Sequence, residues 1–135
     1  MESFPKISEY MDTSVPTLSA ETQIMAAVDF LLRNHVTGAP VVDSNSRLVG
    51  IITETDLLRL LTEGSEGEPA AEATVAEFMT TNVITVSPEV DIYYVAGTFL
   101  ANKFRRLPVV EDGKIVGAIT RYDLLRVVRK LSSTP

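Results

Sequence analysis

The sequence predicts an α/β (α+β) chain made of two β-α-β-β-α units, and three observations predict it. The first is an internal repeat. Shifted by 68 places, residues 7–43 align with 75–111 at 13 of 37 positions. Past a hairpin turn one residue shorter in the second copy, residues 49–61 match 116–128 at 8 of 13 positions. A register held through Met11/Met79, Thr17/Thr85, Pro40/Pro108, Gly50/Gly117 and Asp56/Asp123 marks a duplicated structural unit. The second is helical spacing, i, i+3, i+4, i+7, i+8, at Ile24, Ala27, Val28, Leu31, Leu32 and again at Ile92, Val95, Ala96, Phe99, Leu100. The third is a pair of short apolar runs, Leu107–Val110 and Ile115–Ile119, joined by a turn containing Asp112-Gly113, a strong hairpin signal.

Taken in order, each unit opens with a short extended piece, Val15–Leu18 or Val83–Val86. Ser19 and Ser87 then read as helix N-caps, with Pro88 well placed at the first helical position. The amphipathic helix follows. Two strands come next, Ala39–Val42 with Leu48–Thr53 and Leu107–Val110 with Ile115–Thr120, with Pro40 and Pro108 expected at strand starts. A second helix begins near Asp56 or Asp123. The repeat divides the chain into a first unit over 1–61, an acidic linker over 62–74, a second unit over 75–131 and a tail over 132–135. The linker, TEGSEGEPAAEAT, reads as a solvated loop.

Composition narrows the function. A chain of 135 residues, 45% hydrophobic, suffices for one compact domain and argues against disorder. With no cysteine and one histidine, His35, thiol chemistry is excluded and a histidine-rich metal site is disfavoured. No apolar run approaches membrane-spanning length, so a soluble cytoplasmic protein is expected, with no membrane partner. A net charge of −6 speaks against nucleic-acid binding. The charge is uneven: residues 1–74 hold 4 basic and 12 acidic side chains, residues 75–135 hold 8 and 6.

The hairpin explains why that asymmetry matters. It brings its outer ends together, making Arg105, Arg106, Thr120, Arg121 and Asp123 candidates to surround one small anion. The matching first-copy positions carry Thr37, Gly38, Thr53, Glu54 and Asp56. A carboxylate can accept from a ribose diol, and a helix start offers N–H donors to a phosphate. Structural readings stand beside these: Asp56 and Asp123 as helix N-terminal charges, the arginines as strand-edge guards, Thr17 and Thr85 as plain strand residues.

The recurrence of hhPVV, a turn and VG-x-IT-x-x-DLL, preceded by h-T-h and a helix, resembles a pair of cystathionine-β-synthase (CBS) domains, a Bateman module, over residues 7 to about 130. The resemblance implies two units about a pseudo-two-fold axis, with adenine-containing ligands held in clefts between them. It implies a stand-alone regulatory module sensing an AMP, ADP or ATP class ligand, with Mg²⁺ admissible beside a polyphosphate. Thr53, Asp56, Thr120 and Asp123 would contact ribose and phosphate, Arg105 and Arg106 the phosphates, and the segments near Thr17 and Thr85 the adenine edge. A homodimer through the helices, with Tyr93 or Tyr94 at its interface, and an unidentified regulated protein are the implied partners. The alternatives are a ligand-free dimerisation scaffold or a binder of S-adenosylmethionine or another adenosyl ligand. An enzyme is not expected, because no nucleophile–base set, paired metal ligands or P-loop is present.

Overall fold

Each copy of the repeat is built on an antiparallel hairpin. In the computed structural model, which describes residues 4–62 and 72–132, β2 (Gly38–Val42) pairs with β3 (Leu48–Thr53) and β4 (Arg106–Glu111) with β5 (Lys114–Thr120). Asp112 and Gly113 both take positive φ, 54° and 80°, the geometry a two-residue type I′ turn requires. In both hairpins the register slips by one residue, between Val41 and Val42 and between Val109 and Val110. The remaining elements are β1 (Leu18–Ser19), α1 (Ile24–Asn34), α2 (Glu54–Thr62), α3 (Val75–Phe78), α4 (Ile92–Ala101) and α5 (Arg121–Ser132), with a 3-10 turn at Ile7–Glu9. The expected β-α-β-β-α order is present, with the leading strand reduced. β1 runs parallel to β2, and in the second copy a single parallel bridge joins Val86 to Val109.

Several local expectations differ. The helices start at Ile24 and Ile92, five residues beyond the serines. Ser19 Oγ instead accepts from the Glu21 N–H and Ser87 Oγ from the Glu89 N–H, so both serines shape turns ahead of the helix. Pro88 lies in that turn rather than at the first helical position. Asp91 caps α4, accepting from the Tyr94 N–H at 2.9 Å. Leu32 and Leu100, expected on the core stripe, are exposed. The core takes the i, i+3, i+7 set Ile24, Ala27, Leu31 and its counterpart Ile92, Val95, Phe99, and a residue one further on lies about 100° round the helix.

Pro40 and Pro108 occupy the third positions of their strands. They are tolerated there because their cross-strand partners turn away. Ile51 exchanges both backbone hydrogen bonds with Thr80, and Ala118 does the same with Asp12, so neither proline faces a ladder acceptor. On the other side Val86 donates to the Pro108 carbonyl and accepts from the Val110 N–H, again bypassing the missing donor.

Those exchanges show how the compact units are composed. One unit is the continuous stretch Pro16–Val83; the other joins Met1–Val15 to Ile84–Pro135. The segment leading each repeat therefore packs on the hairpin of the other repeat. Ile7 enters the core formed by Val86, Ile92, Val95, Phe99, Leu107, Val109, Ile119 and Val127. Val75 enters the core formed by Leu18, Ile24, Ala27, Leu31, Ala39, Val41 and Ile52. Lys6 fastens the first segment further: its ammonium lies 2.6 Å from Glu89, and that hydrogen bond holds its pKa above the ordinary lysine value. Of the linker read over 62–74, residues 63–71 lie outside the described residues, as do 133–135 of the tail. Ala73 is buried, and its carbonyl accepts from the Ile24 N–H.

Two glycines make the crossings. A Cβ on Gly117 would stand 2.8 Å from the Asp12 carbonyl oxygen and 2.8 Å from Met11 Sδ; one on Gly50 would stand 2.9 Å from the Thr80 carbonyl oxygen and 2.7 Å from Met79 Sδ. Because the contacts include backbone, neither can be relieved by rotating a side chain. Gly50→Val and Gly117→Val are each expected to destabilise by about 1–3 kcal/mol. Urea unfolding midpoints compared with wild type check this, and an unchanged midpoint would contradict the packing.

Candidate functional site

In each unit a strand passes directly into a helix. β3 ends at Thr53 and α2 begins at Glu54; β5 ends at Thr120 and α5 begins at Arg121. A strand-end N–H has no ladder partner at such a junction, and an aspartate three residues on supplies one. Asp56 Oδ2 accepts from the Thr53 N–H at 2.9 Å and from Thr53 Oγ1 at 3.1 Å. Asp123 Oδ2 accepts from the Thr120 N–H and from Thr120 Oγ1, both at 2.9 Å. The two aspartates are 4% and 8% exposed, so they are the buried carboxylates of the described structure.

The second oxygens are served differently. Asp56 Oδ1 accepts from Thr80 Oγ1 at 3.1 Å, a neutral donor. Asp123 Oδ1 accepts from Arg126 Nη2 at 3.0 Å, and the same guanidinium nitrogen reaches the Tyr10 carbonyl at 3.2 Å. A carboxylate offers about four acceptor positions. Three are occupied on each aspartate, leaving one for a further donor.

The hairpin register places the arginines. Arg106 is the cross-strand partner of Thr120, as Gly38 is of Thr53. Arg106 is half-buried beside the junction, and Arg105 precedes it on the exposed side. Thr120, Asp123 and Arg106 are therefore brought together in one unit, and Thr53 and Asp56 in the other. Thr85 lies next to the Val86 bridge and is exposed; Thr17 precedes β1 and is half-buried. Arg121 goes elsewhere. Its guanidinium donates to the carbonyls of Phe99, Asn102 and Phe104 and lies 5.4 Å from the Phe99 ring centroid. It thus closes the C-terminal end of α4, where unsatisfied carbonyls attract a cation. Arg126 is the residue that sequence reasoning missed. Its spacing, three residues after Asp123 on one helix face, was the available signal. Among the described residues no group of histidines and carboxylates could hold a metal ion, and no helix is long and apolar enough to cross a membrane.

A duplicated hairpin-and-helix unit with one Thr-x-x-Asp junction per copy defines a tandem α+β repeat protein. The chain belongs to the CBS-domain family, whose profile matches residues 7–63 and 75–130. A protein of Methanocaldococcus jannaschii, MJ1225, is 36% identical over 123 residues, covering 90% of this chain. The chain spans 42% of that relative's length. Among solved structures, CBSX2 of Arabidopsis thaliana in complex with AMP superimposes with a TM-score of 0.82 at 30% identity, covering 95% of this chain and 98% of that one. The CBS domain pair of MJ0100, in complex with 5-methylthioadenosine and S-adenosyl-L-methionine, gives 0.78 at 27% identity, covering 96% and 99%.

The contacts of Arg121 make it a support of the fold. Arg121→Ala is expected to lower stability by about 1 kcal/mol, since its hydrogen bonds are partly solvated. Urea denaturation beside wild type checks this, and an unchanged midpoint would contradict those contacts.

Proposed function

We propose that the chain is a regulatory module that binds an adenine nucleotide of the AMP, ADP or ATP class and passes the ligand's presence to a partner protein. The observation that carries this reading is the pairing of Arg106 with the Thr120–Asp123 junction. One remaining acceptor position on a buried carboxylate suits a ribose hydroxyl, and a guanidinium opposite the same threonine suits a phosphate. The AMP complex of CBSX2 and the adenosyl complex of MJ0100 support the ligand class. Mg²⁺ has a place only alongside a polyphosphate. Arg105 adds positive charge, and Thr17 and Thr85 mark the segments read as meeting the base.

The copies are not equivalent in this reading. Where one carries Arg105 and Arg106, the other carries Thr37 and Gly38, with Glu54 at the start of α2. The arginine-bearing unit favours an anion. The acidic unit favours an uncharged adenosine moiety or a sulfonium such as S-adenosylmethionine, a second reading that the MJ0100 complex supports. Arg106→Ala should weaken AMP binding at least tenfold and leave adenosine binding nearly unchanged, measured by titration calorimetry. Equal loss for both ligands would make the arginine a shaping residue. No loss for either would remove it from the site. In a thermal-shift panel, the true ligand at 100 times its dissociation constant adds about 2.7 kcal/mol; a ligand-free scaffold responds to none.

The module is further proposed to be a homodimer. Met25 and Leu32 on α1, and Tyr93, Tyr94 and Leu100 on α4, are exposed apolar side chains on helices that already bury another face. Sedimentation should give a mass near twice 14.8 kDa at micromolar concentration; a mass near the single value would establish a monomer.

A further inference from the structure

Each junction aspartate is held from two directions, and one of them is the segment that crosses from the other repeat. Oδ2 is taken by the strand-end threonine of the same junction. Oδ1 of Asp56 accepts directly from Thr80, a residue of the segment that packs on its hairpin. Oδ1 of Asp123 is reached from the matching segment through an intermediary. Arg126 Nη2 donates to it at 3.0 Å and to the Tyr10 carbonyl at 3.2 Å.

The Tyr10 end of this bridge is firmly placed. The N–H groups of Tyr10 and Met11 both donate to the carbonyl of the fully buried Ile7, and Asp12 exchanges both backbone hydrogen bonds with Ala118. Lys130, one turn further along α5, stands 5.4 Å from the Tyr10 ring centroid. The Asp123 end needs such an anchor. The last torsion of an aspartate is broad, with no sharp rotamer of its own. Bonds to Oδ2 locate one oxygen; the bond to Oδ1 sets the plane of the carboxylate, and with it the direction of the remaining acceptor position. Hydrogen bonds weaken steeply when misaligned, so that direction governs how well a hydroxyl is received. The Arg126 side chain is 57% exposed against 11% for Asp123. Its removal therefore opens no large core cavity and leaves both threonine bonds of the junction in place.

Resting on the nucleotide reading above, we propose that Arg126 is a positioning residue for ligand recognition: it holds the Asp123 carboxylate at the angle a ribose hydroxyl meets, with the leading segment as its anchor. It acts through Asp123 on the ribose, whereas Arg106 acts on the phosphate. Arg126→Ala should therefore weaken AMP and adenosine alike, at least fivefold by titration calorimetry. The decisive ligand is 2′,3′-dideoxy-AMP, which has no ribose hydroxyl. Its affinity, measured by displacement against AMP, should change less than twofold in the same variant. Arg126→Lys keeps a cationic donor and should restore AMP binding to within threefold of wild type. A variant weakened only by a damaged fold would lose AMP and the dideoxy analogue in the same proportion, and that result overturns the proposal. So does unchanged AMP binding in Arg126→Ala, or tighter binding, which would make the arginine a rival for the place of the ribose. Failure of lysine to rescue overturns it too. A wild-type chain that binds AMP and the dideoxy analogue equally removes the ribose contact itself, and one that binds no AMP removes the nucleotide reading; the proposal falls with either.

Discussion

The hydrogen bond from a strand-end threonine N–H to the aspartate three residues on is the interaction on which both units depend. Without it the last donor of β3 or β5 would be stranded where strand gives way to helix with no intervening loop. A buried donor left unpaired costs about 1–3 kcal/mol, and here the threonine hydroxyl loses its acceptor too. The aspartate also sits in the first turn of its helix, where a negative charge is favoured. In the proposed function, fold and recognition use the same carboxylate. For that reason the aspartates are poor probes of binding and Arg106, whose loss leaves the junction bonds in place, is the better one.

A second constraint is chain order. Residues 7–12 and 75–80 align with each other in the repeat, yet each lies on the other repeat's hairpin: Met11 over Gly117, Met79 over Gly50. One compact unit is thus made from both ends of the chain, and the other is a continuous stretch between them. Cutting the chain at the repeat boundary would strip each hairpin of the segment that covers its outer strand. The two bridges, Asp12 to Ala118 and Ile51 to Thr80, would both be lost.

That arrangement shows what the sequence could and could not disclose. Apolar periodicity located α1, α4 and both hairpins, because a buried face leaves a spacing that few other arrangements produce. The repeat displayed the junction residues twice, which set Thr53, Asp56, Thr120 and Asp123 apart from ordinary polar residues. It could not say which hairpin a leading segment joins, since the two are interchangeable in pattern. Nor could a charge reveal its target. Arg121 and Arg126 stand on one helix either side of the same aspartate, yet Arg121 closes the end of α4 while Arg126 contacts the carboxylate. Serine signals were ambiguous for a related reason: the oxygen that caps a helix also closes a turn two residues long, and at Ser19 and Ser87 the turn prevails.

The divergence of the copies follows from keeping the junction satisfied. In one unit Thr80 crosses the glycine and gives its hydroxyl to Asp56 Oδ1. The aligned residue in the other unit is Asp12, whose carboxylate cannot donate and instead accepts from the Ser14 N–H. There Arg126 supplies the donor, anchored at the same time on the Tyr10 carbonyl. Arg59 occupies the matching helical position in the first copy, where the Thr80 hydroxyl already serves the second oxygen. An arginine thus stands at the same helical position in both copies, and what differs is the crossing residue, a neutral Thr80 against the charged Asp12. The second junction keeps its hydrogen bond by bringing Arg126 onto the aspartate, and the charge contrast between the junctions rests on Arg105 and Arg106 against Thr37 and Gly38.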